Sequence, residues 1–185
     1  DTHVEAQFTD GRTSVGVSVD GGDGSGIVVS DVGGIDCGST CSALYVPGTH
    51  VTLTANAAVG SNFTSWANCP VAAVGNTCAF DVPSGTLPTI TATFTLRRFT
   101  LTVRRAGGGT GAVSSASPTI NCGTGAGCVA TNVAYGTPIS LAAMPGGDSL
   151  FGGWAGVAGC AATSPCSFTM TADTTATATF NLQTV

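Results

Sequence analysis

Eight cysteines in a chain of 185 residues are the side chains with the most chemistry to offer. They fall into two sets of four: Cys37, Cys41, Cys69 and Cys78, then Cys122, Cys128, Cys160 and Cys166. Four thiols can hold a zinc ion or close two disulfides. A tetrahedral zinc site keeps short, regular ligand spacing. Here C-x3-C and C-x8-C in the first set become C-x5-C and C-x5-C in the second. That drift favours disulfides, and an even number of cysteines at matched positions in a small glycine-rich unit reads as a disulfide framework formed in an oxidising compartment. No metal and no other cofactor is expected.

The remaining reactive residues are few. With one glutamate, two histidines and no lysine, groups for general acid and base work are scarce, and an enzyme is not expected. His3 lies near the terminus, and His50 has Pro138 at the matching place in the second half. Neither has a patterned acid or nucleophile beside it. Asp20 and Asp23 in DGGDGSG, with Asp31 and Asp36 nearby, offer oxygen ligands, but they lack the alternating acids of a calcium loop and the second half reads AGGGTG there. A plain Asp/Gly turn is the better reading. The pairs Phe63 with Trp66 and Phe151 with Trp154 have two readings. Exposed aromatic faces stack on sugars, which makes Trp66 and Trp154 the candidate ligand-binding residues. Core packing outweighs this, because a small β unit has few other large apolar side chains to bury.

Charge excludes one class of partner and suggests another. Only 8% of residues are charged and the net charge is −5, which disfavours a nucleic-acid binder that must neutralise phosphates. No stretch has the apolar length to span a bilayer, and the N-terminus lacks a basic region followed by an apolar run, so a signal peptide is expected to be absent or already removed. The two halves differ: six aspartates (10, 20, 23, 31, 36 and 81) against Arg12 in the first, and Asp148 and Asp173 against Arg97, Arg98, Arg104 and Arg105 in the second. Opposite polarity favours head-to-tail contact with a neighbouring repeat or a second copy. Asp20, Asp23 and the four arginines of the second half are therefore candidate assembly residues.

These residues sit on a repeated frame. ITATFTLRRFTLTV closes one block at Phe94 and opens another at Phe99, and the closing pattern returns as TATATF, so that Phe94 and Phe180 stand 86 positions apart. Matching positions include Ile35 with Ile120, Cys37 with Cys122, Gly48 with Gly136, Leu53 with Leu141, Phe63 with Phe151, Trp66 with Trp154, and Cys78 with Cys166. The blocks are residues 10–96 and 97–185, each near the size at which a core alone is marginal and staples are needed. Residues 1–9 repeat the closing strand, with Val4, Ala6 and Phe8 alternating with polar residues. They read as the last strand of a preceding repeat or a strand donated to a neighbour, and Val4, Ala6 and Phe8 are expected to be buried against a sheet. Val15, Val17 and Val19, the turn DGGDGSG and the run from Ile27 predict a hairpin. Helical periodicity is not convincing anywhere. The short connection from Phe94 to Phe99 predicts close coupling of the blocks.

The series LTV, a glycine turn, G-I-x-C-G-x-x-C, G-T-x-V-x-L-x-A, F-x-x-W, two further cysteines and T-A-T-F resembles the divergent internalin B-repeat family of bacterial extracellular proteins. The resemblance covers nearly the whole chain and occurs twice. It implies a mainly β fold, β-grasp-like or sandwich-like, used in series as a stalk or adhesive module, and it carries no catalytic residues. The second copy departs from the pattern where Gly33 and Gly34 give way to Pro118 and Thr119, and in its wider first cysteine pair.

Four cysteines allow three pairings per repeat. Local pairs are preferred, Cys37 with Cys41, Cys69 with Cys78, Cys122 with Cys128 and Cys160 with Cys166, because each enclosed loop varies in length independently. The expected function is a structural extracellular module, a rigid stalk, spacer or fibre segment of a bacterial surface or secreted protein. The alternatives are an adhesive module for a glycan or host surface protein, and an ancillary domain of a secreted hydrolase.

Overall fold

The computed structural model describes residues 11–123, 126–162 and 164–184, with Ala126 and Gly127 described by their backbone alone. Every regular element among the described residues is a strand, and no helix long and apolar enough to cross a membrane is found among them. The chain divides into two compact units, one ending at Leu96 and the other starting at Arg97.

The first unit contains β1 (Thr13–Val19), β2 (Gly26–Ser30), β3 (Asp36–Cys37), β4 (Ser42–Tyr45), β5 (His50–Ala57), β6 (Ser61–Ala67), β7 (Thr77–Asp81) and β8 (Ile90–Leu96). They form two four-stranded sheets with the orders β4-β1-β8-β6 and β3-β2-β5-β7. The period-2 pattern dictates this packing: in β8, Ile90, Ala92 and Phe94 are buried while the β-branched threonines between them face outward. Val15, Val17 and Phe94 from one sheet and Val28, Leu53 and Phe80 from the other belong to a single core. Each such side chain contributes about 1.5 to 3 kcal/mol by leaving water. Two sheets facing one core make the unit a sandwich.

The expected hairpin between β1 and β2 is not formed, because the two strands belong to different sheets. The DGGDGSG turn instead arches over β8: Asp20 N donates to Ala92 O at 3.1 Å and Gly24 N to Phe94 O at 3.0 Å. A Cβ on Gly22 would overlap the Phe94 carbonyl, and one on Gly26 would overlap the Phe94 ring. The glycines are thus required by close approach to β8. An Asp/Gly turn suits a hairpin and an arch equally, so composition does not separate them.

The second unit repeats the plan with β9 (Arg98–Ala106), β10 (Gly111–Ser115), β11 (Ile120–Cys122), β12 (Ala126–Gly127), β13 (Val129–Ala134), β14 (Pro138–Pro145), β15 (Ser149–Ala155), β16 (Cys166–Thr169) and β17 (Thr174–Leu182). Its sheets run β13-β9-β17-β15 and β12-β11-β10-β14-β16. Strand β12 is the addition, housed in the wider first cysteine loop. Phe180 takes the place of Phe94, with Gly107 pressed against its carbonyl and Gly111 against its ring.

Candidate functional site

The cysteines close four disulfides, Cys37–Cys41, Cys69–Cys78, Cys122–Cys128 and Cys160–Cys166, and none is left free. Their placement explains why they lie so close in sequence. Cys37 is on β3 in one sheet and Cys41 directly precedes β4 in the other; Cys69 follows β6 and Cys78 lies on β7 in the opposite sheet. The second unit places its two bridges at the same crossings, β11 to β13 and β15 to β16. Every bridge therefore fastens the two sheets where the chain passes between them. Short loops close little chain entropy, so each contributes about 2 to 3 kcal/mol.

The aromatic pairs are taken up by packing. Phe63 lies 5.6 Å from Trp66 and 5.8 Å from Phe94, and Phe151 lies 5.6 Å from Trp154 and 6.0 Å from Phe180, all tilted or edge-on. Trp154 is 7% exposed, and Trp66 is half-buried against the first core with its indole N–H buried and unpartnered. Burial leaves Trp154 little surface to stack on a sugar, and Trp66 keeps part of its surface exposed. Aromatic burial in a small unit claims Trp154 and part of Trp66.

The acids are mostly bound to backbone. Asp20 Oδ1 accepts from Gly21 N at 2.7 Å, and Asp23 Oδ1 accepts from Leu96 N at 2.9 Å, which fixes the last residue of β8. Asp31 Oδ1 accepts from Val32 N at 2.8 Å and Thr52 N at 2.7 Å; the Thr52 bond is the main cause holding its carboxyl below the usual aspartate range. His50 Nδ1 and Asp81 Oδ1 meet at 2.7 Å on the exposed edge of β5 and β7. Among the described residues, no group of three or more histidines, cysteines or acids is arranged to hold a metal ion.

Three of the four arginines of the second unit are engaged within it. The Arg97 guanidinium lies 5.7 Å from the Phe99 ring centroid and 5.4 Å from that of Tyr135, and its carbonyl accepts from Tyr135 N at 2.8 Å. Arg98 reaches Asn132 O at 3.5 Å and Arg105 reaches Gly111 O at 3.2 Å. Arg104 is exposed on the outer face of its sheet, level with Thr177. Val4, Ala6 and Phe8 lie outside the described residues.

One arrangement has no sequence signal. In each unit the opening and closing strands are neighbours and run parallel. Strand β1 pairs with β8 at Val17↔Ile90, Ser18↔Thr91 and Val19↔Ala92. Strand β9 pairs with β17 over six positions, from Leu101↔Thr174 to Ala106↔Thr179. Alternation marks each strand but says nothing of its neighbour or its direction.

The family model for the divergent InlB B-repeat domain matches residues 28–98 and again residues 99–184. No curated protein matches the chain. Among solved structures, the major pilin protein (T-13) from Streptococcus pyogenes serotype GAS131465 is similar at 9% identity and a TM-score of 0.39, over 96% of this chain and 98% of that one.

Proposed function

The chain belongs to the divergent InlB B-repeat domain family, and from that premise we propose that it is a load-bearing structural module, a stiff spacer in a secreted or surface-attached bacterial protein. The parallel pairing of opening and closing strands carries this reading. Tension enters each unit at the start of its first strand and leaves at the end of its last. For two neighbouring parallel strands those points lie at opposite ends of the shared ladder. All rungs are then loaded together in shear, instead of opening one after another as in a hairpin pulled from its open end. The disulfides support the same role by restricting slippage between the sheets at the crossings.

The ends of the units add a second support. Leu96 N is held by Asp23 within the first unit, and Arg97 by Phe99 and Tyr135 within the second, so each ladder is anchored in its own unit at the end where tension passes. Pulling a single molecule from its two ends tests the proposal: two separate rupture events at forces well above hairpin unzipping support it, and smooth peeling at low force rejects it. The reading assigns the chain no catalysis and no cofactor. It includes head-to-tail contact between copies through the acidic first unit and the basic second one, whose four arginines are all exposed, Arg104 among them. Sedimentation should show self-association at low salt that is lost at high salt and in Arg104→Glu; association indifferent to both would remove this part.

A further inference from the structure

The units diverge along one seam, where β5 and its counterpart β14 part from the preceding strand. In the first unit β2 pairs with β5 as far as Ser30↔Leu53. Beyond that, Asp31 keeps the seam closed: its N–H donates to Thr52 O at 3.1 Å and its carboxylate accepts from Thr52 N at 2.7 Å. In the second unit β10 pairs with β14 as far as Ser114↔Ala142. The residue in the place of Asp31 is Ala116, three positions after Val113 as Asp31 is three after Val28, and Val28 and Val113 each pair with a bridged cysteine. The residue in the place of Thr52 is Ser140, which follows buried Ile139 as Thr52 follows buried Val51.

Ala143 N donates to Ser164 Oγ on the β16 side, so alternation turns the backbone groups of Ala142, Ser140 and Pro138 toward β10. Among the described residues nothing replaces the Asp31 bonds at Ser140, whose N–H and C=O open onto a groove of about 750 Å³. Five serines and a threonine, Ser140 and Ser167 among them, line it beside the apolar Pro138 and Phe168, and no charged residue does. In the first unit the matching positions hold Asp31, His50 and Asp81.

We propose that this groove of the second unit binds a neutral saccharide. Its size falls in the range of small-molecule sites. Serine and threonine hydroxyls donate and accept, as sugar hydroxyls do, so each can pair in either sense. A charged ligand would find no counter-charge in the lining. An extended peptide adding as a strand needs a donor and an acceptor at alternate residues, and Pro138 has no N–H, which leaves Ser140 alone with both. The site owes nothing to Trp66 or Trp154 and stands independently of the load-bearing reading.

The test is a titration of the intact ¹⁵N-labelled chain with maltotetraose, cellotetraose, tetra-N-acetylchitotetraose and, for contrast, tetra-alanine, followed by amide shifts. At least one saccharide should produce saturable shifts centred on Ser114 to Ser117, Ser140 and Ser167, leaving Asp31 and Thr52 unmoved. Ala116→Asp, which restores the carboxylate of the first unit, should weaken binding at least about tenfold, the scale of one or two lost hydrogen bonds. The double variant Ser114→Ala/Ser167→Ala should do the same while thermal unfolding stays as in the parent. Saturable binding of tetra-alanine alone, saccharide shifts outside the groove, no response to any of the four ligands, or binding indifferent to both folded variants would each overturn the proposal.

Discussion

The parallel ladder joining first and last strands has three register pairs in the first unit and six in the second. The seam in the opposite sheet, between β2 and β5 or β10 and β14, is closed by a carboxylate at Asp31 in the first unit and open at Ala116 in the second. Yet both units bury the same frame of Val28 or Val113, Leu53 or Leu141, and Phe94 or Phe180, and both fasten their sheets at the same two crossings. The inward positions and the cysteines therefore specify the fold. Strand length beyond the core and the residues at the seam are free to differ between the copies.

Reduction gives the largest expected effect and should act on the two units alike. Losing both bridges costs each unit about 4 to 5 kcal/mol by loop entropy, close to the whole stability of a small domain. Trp66 and Trp154 report the units separately when each is read in a background where the other is Phe. Urea melts with and without reductant should show both units falling together, and a unit that keeps its stability when reduced would break the equivalence.

A smaller contrast lies within the arches, between the glycines pressed on the closing strand, Gly22 and its counterpart Gly107, and Gly108, which is not. Gly22→Ala forces a methyl against the Phe94 carbonyl and should cost the first unit about 1 to 3 kcal/mol. Gly108→Ala meets nothing nearer than Leu182 Cδ1 at 4.0 Å and should leave the second unit within about 0.5 kcal/mol of the parent. Equal costs in denaturant melts would mean that the glycines do not serve close approach.

The smallest effect concerns pH. Asp31 has its carboxyl lowered in the folded state, chiefly by the Thr52 N–H. A lowered value means that the stabilisation is present above the unfolded aspartate value and is lost as pH falls through the folded one. The first unit should therefore lose stability below about pH 4 in a way that Asp31→Ala removes, whereas the second unit, with Ala116, lacks this contribution. Stability profiles of the two units from pH 6 downward, about the range in which carboxylates titrate, would show it; identical parent and variant profiles would dismiss the role given to Asp31.

Much of this architecture is legible in the residues. The recurrence of Phe94 at Phe180 marks the repeats, because alternating apolar positions survive on any buried strand. The cysteine spacings point to disulfides because loop lengths drift around them. The arch of DGGDGSG is not legible, since its glycines answer to a strand some seventy residues later in the chain. Nor is the stacking of Arg97 on Tyr135, which depends on β9 and β13 being neighbours. The open seam rests on one substitution, Ala116 for Asp31, whose meaning depends on where Thr52 and Ser140 point. Side-chain alternation gives faces; strand order and close approach come from the assembled sheets.

Force spectroscopy on the intact chain, pulled from its ends, tests the central claim most directly when combined with Ser18→Pro. That substitution removes a backbone N–H from β1 beside β8 and leaves β9 and β17 untouched. The account predicts two ruptures in the parent, the weaker from the first unit with its shorter ladder, and selective loss of that event in Ser18→Pro. Reductant should lengthen both steps by about 3 to 4 nm as the bridged loops are released. Ruptures of equal force, or a Ser18→Pro trace indistinguishable from the parent, would contradict the claim that the parallel ladders carry the load.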